Sequence, residues 1–425
     1  MIKKIRKVIL IILSSFIVLA SLILAYIIWI QPIDSRTADH SIGIARKTEA
    51  ESKETIKVKK MPKPNSNYSS SPQSNLRSKD LSQLNLTSEF NAIKRVVYDT
   101  STKWPRRLPK GFDPDKSMEL GKNPGLHVQE LHKKGITGKG VSVGIIDQTL
   151  YTEHSEYKKR LKHYEEIHAL SKVPEMHGAG VASLAVGENI GVAPESNLYF
   201  IASSFADNLL IMLKMKGHDS KGDTYTNGIT YKYYAQSIER FLEINKTLPE
   251  KEKIRAISIS RGFNKKDNDY DLFKKALDKA NDQGILVVTA TLEQDYGIGI
   301  AGLGKEMMSD PDDRASYSVG SWLKENAEDY QNCLFLPMDC RTYAGITGEK
   351  SYVNDTSGGL SWVVPYLAGL YALAYQVNKS ITPETFIEKA IETSDSQVVE
   401  NEGKPFTIKY LINPIRLIEE IQSDT

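Results

Sequence analysis

Three polar residues in this sequence could together activate a hydroxyl group. Asp147 ends the apolar run VSVGIID, His177 opens the run HGAGVASLAVG, and Ser361 follows two glycines in GGLSWVVP. A serine hydroxyl is a poor nucleophile until a histidine accepts its proton, and that histidine needs a carboxylate on its other ring nitrogen. The sequence therefore offers a nucleophile, a base and a carboxylate that orients the base.

Each of the three residues also has an ordinary structural interpretation. An aspartate at a strand end is commonly a turn residue, a serine at a helix start is commonly an N-cap, and the chain has 8 histidines. Their combined order and surroundings favour the chemical interpretation. Asp147 would lie at the carboxyl end of a parallel strand, where open α/β sheets place functional groups. Ser361 would lie at a helix start, whose free N–H groups suit an oxyanion.

The segments around these residues predict an α/β fold. Apolar runs predict strands at 141–147, 197–203, 254–260 and 285–292. Helices are predicted for HGAGVASLAVG, for the amphipathic segment 271–282 and for the apolar segment 361–377. Because strands and helices alternate over short distances, the pattern indicates crossover connections and a parallel sheet.

These motifs resemble those of the subtilases, the subtilisin-like serine peptidases. GKGVSVGIIDQTLYTEHSEY resembles the family's aspartate motif and HGAGVASLAVG its histidine motif. GGLSWVVPYLAGLYALA resembles the Gly-Thr-Ser-Met-Ala-x-Pro helix, with Ser361 and Pro365 in the serine and proline positions. The resemblance implies a three-layer α/β domain with a mostly parallel sheet. It also implies peptide-bond hydrolysis by Asp147, His177 and Ser361, which follow the subtilisin order.

The resemblance also implies where a protein or peptide substrate would bind. It would lie as an extended strand against sheet edges, here along ISISRG at 257–262. Ser260, Arg261 and Gly262 are therefore candidate substrate-binding residues. Arg261 stands where the family tends to have an apolar residue, which indicates an altered substrate preference.

The sequence departs from the family pattern at several positions. Gly180 replaces the usual second histidine of the histidine motif, and Leu360 replaces the threonine before the nucleophile. Glu293 stands at the oxyanion-hole asparagine position, where an ionised carboxylate cannot donate a hydrogen bond. Either burial keeps Glu293 protonated or Gln294 supplies an amide instead. We expect a slow or selective serine endopeptidase; the alternative is an inactive subtilase-like domain that binds a peptide or protein partner.

The N-terminus predicts a membrane anchor. Lysines and an arginine among the first seven residues precede an uncharged apolar run from Val8 to Ile30. At about 1.5 Å per residue this run is about 34 Å long, enough to cross a bilayer. It is longer than the apolar part of a cleavable signal peptide, and no A-x-A-like site closes it. We expect the chain to cross the cell membrane once, with its N-terminus in the cytoplasm and its catalytic domain outside.

The rest of the chain divides by composition. Residues 1–30 form the basic tip and anchor, and residues 31–88, rich in Ser, Asn and Lys, are expected to form a flexible tether. A folded inhibitory pro-segment is the alternative for that stretch. Residues 89–124 contain several prolines and are expected to form an irregular arm, followed by a subtilisin-like peptidase domain at 125–425.

Other functions are disfavoured by composition and weak motifs. Lys+Arg 55 against Asp+Glu 53 gives a net charge of +2, which argues against a nucleic-acid binder. GIGIAGLGK at 297–305 resembles a nucleotide-binding loop, but Glu306 stands where a P-loop needs Ser or Thr. We expect a flexible glycine-rich loop there and no nucleotide.

Metal ions and disulfides have little support in the sequence. Asp310, Asp312 and Asp313 could bind structural calcium, but their spacing fits no EF-hand, and a solvated acidic turn is preferred. No cofactor is expected to be required. Cys333 and Cys340 either form a small-loop disulfide or stay free thiols.

Overall fold

The computed structural model describes residues 2–36, 41–64, 72–208, 211 and 228–424, so parts of the predicted tether, 37–40 and 65–71, lie outside the described residues. The described strands are β1 Ile33–Asp34, β2 Ile56–Lys57, β3 Ser74–Asn75, β4 Lys79–Asp80, β5 Val96–Asp99, β6 Ser142–Asp147, β7 Leu161–Ala169, β8 Asn197–Ser203, β9 Ile254–Ile259, β10 Leu286–Thr289, β11 Gly299–Lys305, β12 Tyr317–Val319, β13 Cys333–Pro337, β14 Arg341–Ala344, β15 Tyr352–Asp355, β16 Asp395–Asn401 and β17 Lys404–Leu411. The described α-helices are Ile2–Ile30, Phe90–Ile93, Pro114–Lys122, Val128–Lys133, Met176–Val186, Lys232–Thr247, Tyr270–Asn281, Glu293–Tyr296, Leu360–Val377, Pro383–Glu392 and Pro414–Ser423.

A six-stranded sheet in the order β1-β7-β8-β6-β9-β10 carries the predicted motifs. Strands β6 to β10 run parallel to their neighbours, and β1 adds to the edge in the antiparallel direction. Successive side chains of a strand point to opposite faces. Leu286 and Val288 accordingly join the core around helix Leu360–Val377, whereas Val287 joins the core around helix Tyr270–Asn281. The predicted three-layer α/β fold with a mostly parallel sheet is confirmed.

The glycine-rich segment at 297–305 is not a loop. It forms β11, which is buried along its whole length and pairs with β13 in a second sheet of order β12-β11-β13-β17-β16. A Cβ at Gly302 would clash with the Met338 side chain, so the glycine is needed for close packing. The expectation of a flexible loop is wrong because these glycines serve sheet packing.

Both cysteines are free and buried. The Cys340 thiol donates a hydrogen bond to the carbonyl oxygen of Lys305 at 2.9 Å. Burial raises the pKa of the Cys333 thiol to about 11. Of the two states that the sequence allowed, the structure has the free thiols.

The described parts of segment 31–88 pack on the domain, which differs from the predicted tether. Ile33 pairs with Ala169 at the edge of β7. Arg46 Nε donates to Glu166 Oε1 at 2.9 Å, and the Glu166 side chain is 0% exposed. A strand can add to a sheet edge, and an arginine can pair with a buried glutamate, without any periodic pattern of apolar residues. The composition of this segment therefore did not reveal these contacts.

Segment 89–124, predicted as an irregular arm, contains regular structure. Strand β5 within it pairs with β3 and β15 in a third sheet of order β14-β15-β5-β3. Trp104 packs edge-on against Tyr98 and Phe112, at ring-centroid distances of 5.2 and 5.3 Å. The prolines that suggested irregularity flank this small aromatic core.

The N-terminal helix Ile2–Ile30 covers the predicted anchor. Its described apolar side chains between Ile11 and Ile23 are exposed, with Phe16 at 71%. Among the described residues, helix Leu360–Val377 is long and apolar enough to cross a membrane, but 78% of it is buried in the domain, while Ile11–Ile23 is a shorter apolar helix. Membrane crossing by the N-terminal helix stays a prediction.

Docking of segment 31–88 can be tested at Arg46. Arg46→Met leaves the buried Glu166 carboxylate without its cation, so we expect the free energy of unfolding of the full chain to fall by about 2 kcal/mol, less than for a fully enclosed pair. Chemical denaturation measures this loss. Lys47→Met is the matched control, because the Lys47 side chain is 77% exposed and its stability effect should be small. Equal stability of the two variants would mean that the segment is not docked.

Candidate active site

Asp147 and His177 meet at the carboxyl edge of the main sheet. Asp147 is the last residue of β6, and His177 lies in the first turn of helix Met176–Val186. His177 Nδ1 is 2.6 Å from Asp147 Oδ1. Since an ionised carboxylate only accepts hydrogen bonds, Nδ1 carries the proton and Nε2 is left as the basic nitrogen. Gly178 permits this approach, because a Cβ there would clash with the backbone oxygen of Gln148.

The aspartate makes His177 a stronger base. Burial alone lowers the pKa of His177, but the negative charge of Asp147 and its hydrogen bond outweigh burial, so the pKa is raised above the ordinary value of 6.5. The charge of Glu175 acts in the same direction. With its side chain 26% exposed, the imidazole can still exchange protons with the solvent.

Ser361 is the second residue of helix Leu360–Val377. The next residue, Trp362, packs on the His177 ring with a centroid distance of 5.4 Å, so the nucleophile helix lies against the imidazole. In the described part of the chain, Ser361 Oγ and His177 are not joined by a hydrogen bond. Catalytic hydrogen bonds of this kind are often long in the absence of substrate.

A proline and a serine fix the position of Ser361. Pro365 has no N–H, so it cannot donate the helical hydrogen bond to the Ser361 carbonyl oxygen four residues earlier. Ser260 Oγ donates to that oxygen instead, at 2.9 Å. Because Ser260 follows β9, this bond ties the nucleophile helix to a strand end of the main sheet.

Two departures from the family motifs fit one another. Trp362 occupies the methionine position of the serine motif, and its ring lies between the rings of His177 and Tyr343. A Cβ at Gly180 would lie 3.0 Å from the Trp362 ring. The small residue in the histidine motif therefore makes room for the large residue in the serine motif.

Asp355 holds the turn that precedes the nucleophile, and sequence reasoning missed it. Its Oδ1 accepts hydrogen bonds from the backbone N–H groups of Ser357 and Gly358, and its Oδ2 accepts from Trp362 Nε1 at 3.4 Å. Gln73 Nε2 also donates to Asp355 Oδ1, at 2.8 Å. The N-terminal segment thus supports the serine turn. The sequence feature that could have identified Asp355 is its place six residues before the candidate nucleophile.

Glu293 does not face the cleft. It begins the short helix Glu293–Tyr296, its side chain is exposed, and its charge contributes to the raised pKa values of Tyr330 and Cys333. The Glu293 side chain therefore lacks the burial on which its predicted role as an oxyanion donor depends.

The Gln294 amide is also engaged elsewhere. Its Nε2 donates to the carbonyl oxygen of Phe263 at 3.0 Å, and its Oε1 accepts from the Tyr270 hydroxyl at 3.0 Å. The backbone N–H of Ser361 lies in the first turn of its helix, where an N–H has no acceptor within the helix.

The substrate-binding prediction needs one correction. Strand β9 lies between β6 and β10, so residues 257–259 have no free edge for a substrate strand. Ser260 and Arg261 lie beyond this ladder and line a cleft of about 170 Å³ together with Asp147 and His177. Gly262 lines the neighbouring groove with Arg261.

The acidic turn uses its carboxylates for backbone hydrogen bonds. Asp312 accepts from the His127 N–H at 2.7 Å, and Asp313 accepts from the Ala315 N–H at 2.9 Å. Among residues 2–36, 41–64, 72–208, 211 and 228–424, no group of three or more His, Cys, Asp or Glu side chains is arranged to hold a metal ion. Structural calcium was the less favoured alternative for this turn and stays untested.

Comparison with known proteins supports the family assignment. The model of the subtilase family matches residues 138–319, which confirms the resemblance over a range that includes Asp147 and His177 and ends before Ser361. This match supports a serine peptidase. A solved structure of the prenylagaramide maturation protease PagA is similar at 14% identity, with 70% of this chain and 99% of that chain covered and a TM-score of 0.47. No curated protein matches the chain.

The basicity of His177 can be measured without assuming any activity. NMR titration of the full chain should give a His177 pKa above 6.5, the ordinary value. In Asp147→Asn the charge is lost while burial remains, so the pKa should fall below that value. A titration that is unchanged in Asp147→Asn would show that the carboxylate does not act on the imidazole.

Proposed function

We propose that this chain is a serine endopeptidase in which Ser361 is the nucleophile, His177 the general base and Asp147 the orienting carboxylate. The observation that carries the proposal is the 2.6 Å contact between Asp147 and His177 Nδ1. It leaves Nε2 as the basic nitrogen of a ring on which Trp362, the residue after Ser361, packs.

The reaction follows from these positions. Ser361 Oγ attacks the scissile carbonyl carbon while His177 Nε2 takes the hydroxyl proton, and the same proton then goes to the leaving amine. Water hydrolyses the resulting acyl-enzyme with His177 again as the base. Asp147 stabilises the imidazolium in both steps.

The oxyanion site indicates slow turnover. The loss of one oxyanion donor lowers kcat by about 10²–10³, and neither Glu293 nor Gln294 presents a free donor to the cleft. The same observation favours the second candidate function, a subtilase-like domain that binds a peptide or protein without cutting it.

A fluorophosphonate probe distinguishes the two functions. The full chain should be labelled, because the probe needs only an activated serine, and Ser361→Ala should remove the label. Ser423→Ala, at the end of the C-terminal helix, is the matched control and should keep it. A folded wild-type chain that takes no label would favour the binding function, and label retained in Ser361→Ala would exclude Ser361 as the nucleophile.

We further propose that residues 8–30 anchor the chain in the cell membrane, with residues from about 31 onward extracytoplasmic. The proposal is supported by a helix at Ile2–Ile30 whose described apolar side chains are exposed. It is also supported by the basic residues that precede the apolar run.

Docking of Ile33 on β7 would hold the domain close to that membrane. Only two residues, Gln31 and Pro32, lie between Ile30 and Ile33, so the three steps of chain reach at most about 11 Å. The strand partner of Ile33 is Ala169, which lines the cleft beside His177. We therefore expect the peptidase to cut substrates near the bilayer surface rather than at the end of a long tether.

A spacer tests this placement. Wild-type enzyme in liposomes should cut a membrane-tethered substrate faster when the scissile segment is near the bilayer than when it is far from it. A Gly/Ser insertion of about 20 residues between Gln31 and Pro32 should abolish this difference in cleavage rate and leave cleavage of a soluble peptide unchanged. The same insertion after Asp424 is the control. If the variant with the insertion between Gln31 and Pro32 still cut the near substrate faster than the far one, close docking would be contradicted.

A further inference from the structure

Arg261 occupies a fixed position in the wall of the cleft. Its N–H donates to the carbonyl oxygen of Ile259 at 2.6 Å, and its own carbonyl oxygen accepts from the Ala290 N–H at 2.9 Å. The guanidinium carbon lies 3.3 Å from the centre of the Phe205 ring. A cation stacked on an aromatic face in this way is held in one orientation.

The Arg261 guanidinium has no anionic partner in the described part of the chain. Its Nε is buried without a hydrogen-bond acceptor, and no carboxylate lies within ion-pair distance. Asp147 lines the cleft and is engaged with His177, and Asp267 lines the neighbouring groove and is engaged with the Tyr231 hydroxyl. The other acidic residue that lines the cleft is Glu175. Arg46 and Arg240, by contrast, each bind a buried glutamate. Arg261 is only partly exposed and its Nε is buried without an acceptor, so a ligand that supplies a carboxylate would stabilise it.

The wall beyond Arg261 carries further positive charge. Arg261 lines both the cleft with His177 and a second, open groove of about 600 Å³. Lys265 and Lys266 are exposed in that second groove, where Asp267 is the acidic lining residue. Arg261 is therefore shared by the cleft that contains His177 and by a groove with two exposed lysines.

We propose that Arg261 is a specificity residue that binds a substrate carboxylate, so that the chain prefers acidic peptides. This inference rests on the proposed function, because it names the substrate class of the same site. The planar guanidinium can make two parallel hydrogen bonds to a carboxylate, and Lys265 and Lys266 add attraction along the groove. The carboxylate can come from a Glu or Asp side chain or from a free C-terminus.

Binding to Ser361→Ala tests the proposal without requiring turnover. A series of fluorescent peptides with amidated C-termini carries Glu, Gln or Lys at each position in turn, and a second series has free C-termini. At the best position, the Glu peptide should bind at least about tenfold more tightly than the Gln peptide. A preference that appears only in the second series would assign the site to a terminal carboxylate.

Variants then locate the preference. Adding Arg261→Gln should reduce the Glu-to-Gln ratio to about one, and Arg261→Lys, which keeps the charge but loses the planar fork, should give an intermediate ratio. Lys133→Gln removes the same charge on helix Val128–Lys133, outside both grooves, and should keep the full ratio. Higher salt should weaken the preference only in part, since Arg261 Nε is buried.

The outcomes separate this inference from the function on which it rests. Equal binding of Glu and Gln peptides, or a Glu preference that persists in Arg261→Gln, overturns the role of Arg261. If Arg261→Gln fails to fold, the ratio of Glu-peptide to Gln-peptide affinity in Arg261→Lys decides. An unchanged ratio in that variant would exclude recognition through the paired N–H donors of the planar guanidinium. Lack of probe labelling in the wild type would refute the peptidase but would leave the carboxylate preference measurable.

Discussion

The contact between Asp147 and His177 depends on very close approach of a helix start to a strand end. The short distance requires glycine at 178, because any side chain there would strike the backbone of Gln148. The imidazole also packs against Trp362, whose ring lies about 3.0 Å from where a Cβ at Gly180 would be. The position of the base is therefore set by two glycines on one helix and one aromatic residue on another. This explains how the chain can depart from two family motifs at once without losing the arrangement.

The position of Ser361 is set from outside its helix. Pro365 leaves the Ser361 carbonyl oxygen without a helical partner, and Ser260 from the main sheet supplies one. Asp355 ties the preceding turn to Trp362 and, through Gln73, to the N-terminal segment. The described part of the N-terminal segment that contains Gln73 therefore belongs to the scaffold of the site.

The parts of the fold that local patterns control were predictable from the sequence. Strand β8 was predicted with its observed bounds, and helix Leu360–Val377 within one residue, because both are continuous apolar runs. Strand β7 was missed, since its buried Glu165 and Glu166 break the apolar pattern and are balanced by Arg240 and Arg46 from distant parts of the chain. Docking of segment 31–88 and the role of Asp355 were missed for the same reason: single long-range polar contacts leave no periodic signal. The compensation between Gly180 and Trp362 needed the distance between two helices, which no spacing in the chain reveals.

The weak oxyanion site and the unpaired arginine bear on one another. An enzyme that lacks one oxyanion donor must obtain transition-state stabilisation from other contacts, and binding energy from remote parts of a substrate can be used to orient the reacting carbonyl. A carboxylate held by Arg261, stacked on Phe205 at the cleft wall, would provide such a contact. Substrates without it would then lose kcat as well as affinity, because the orienting interaction would be missing in the transition state. Under the proposed function the departures at Glu293 and Arg261 would act together: a site that is poor for general proteolysis would cut efficiently only a substrate that carries a carboxylate for Arg261.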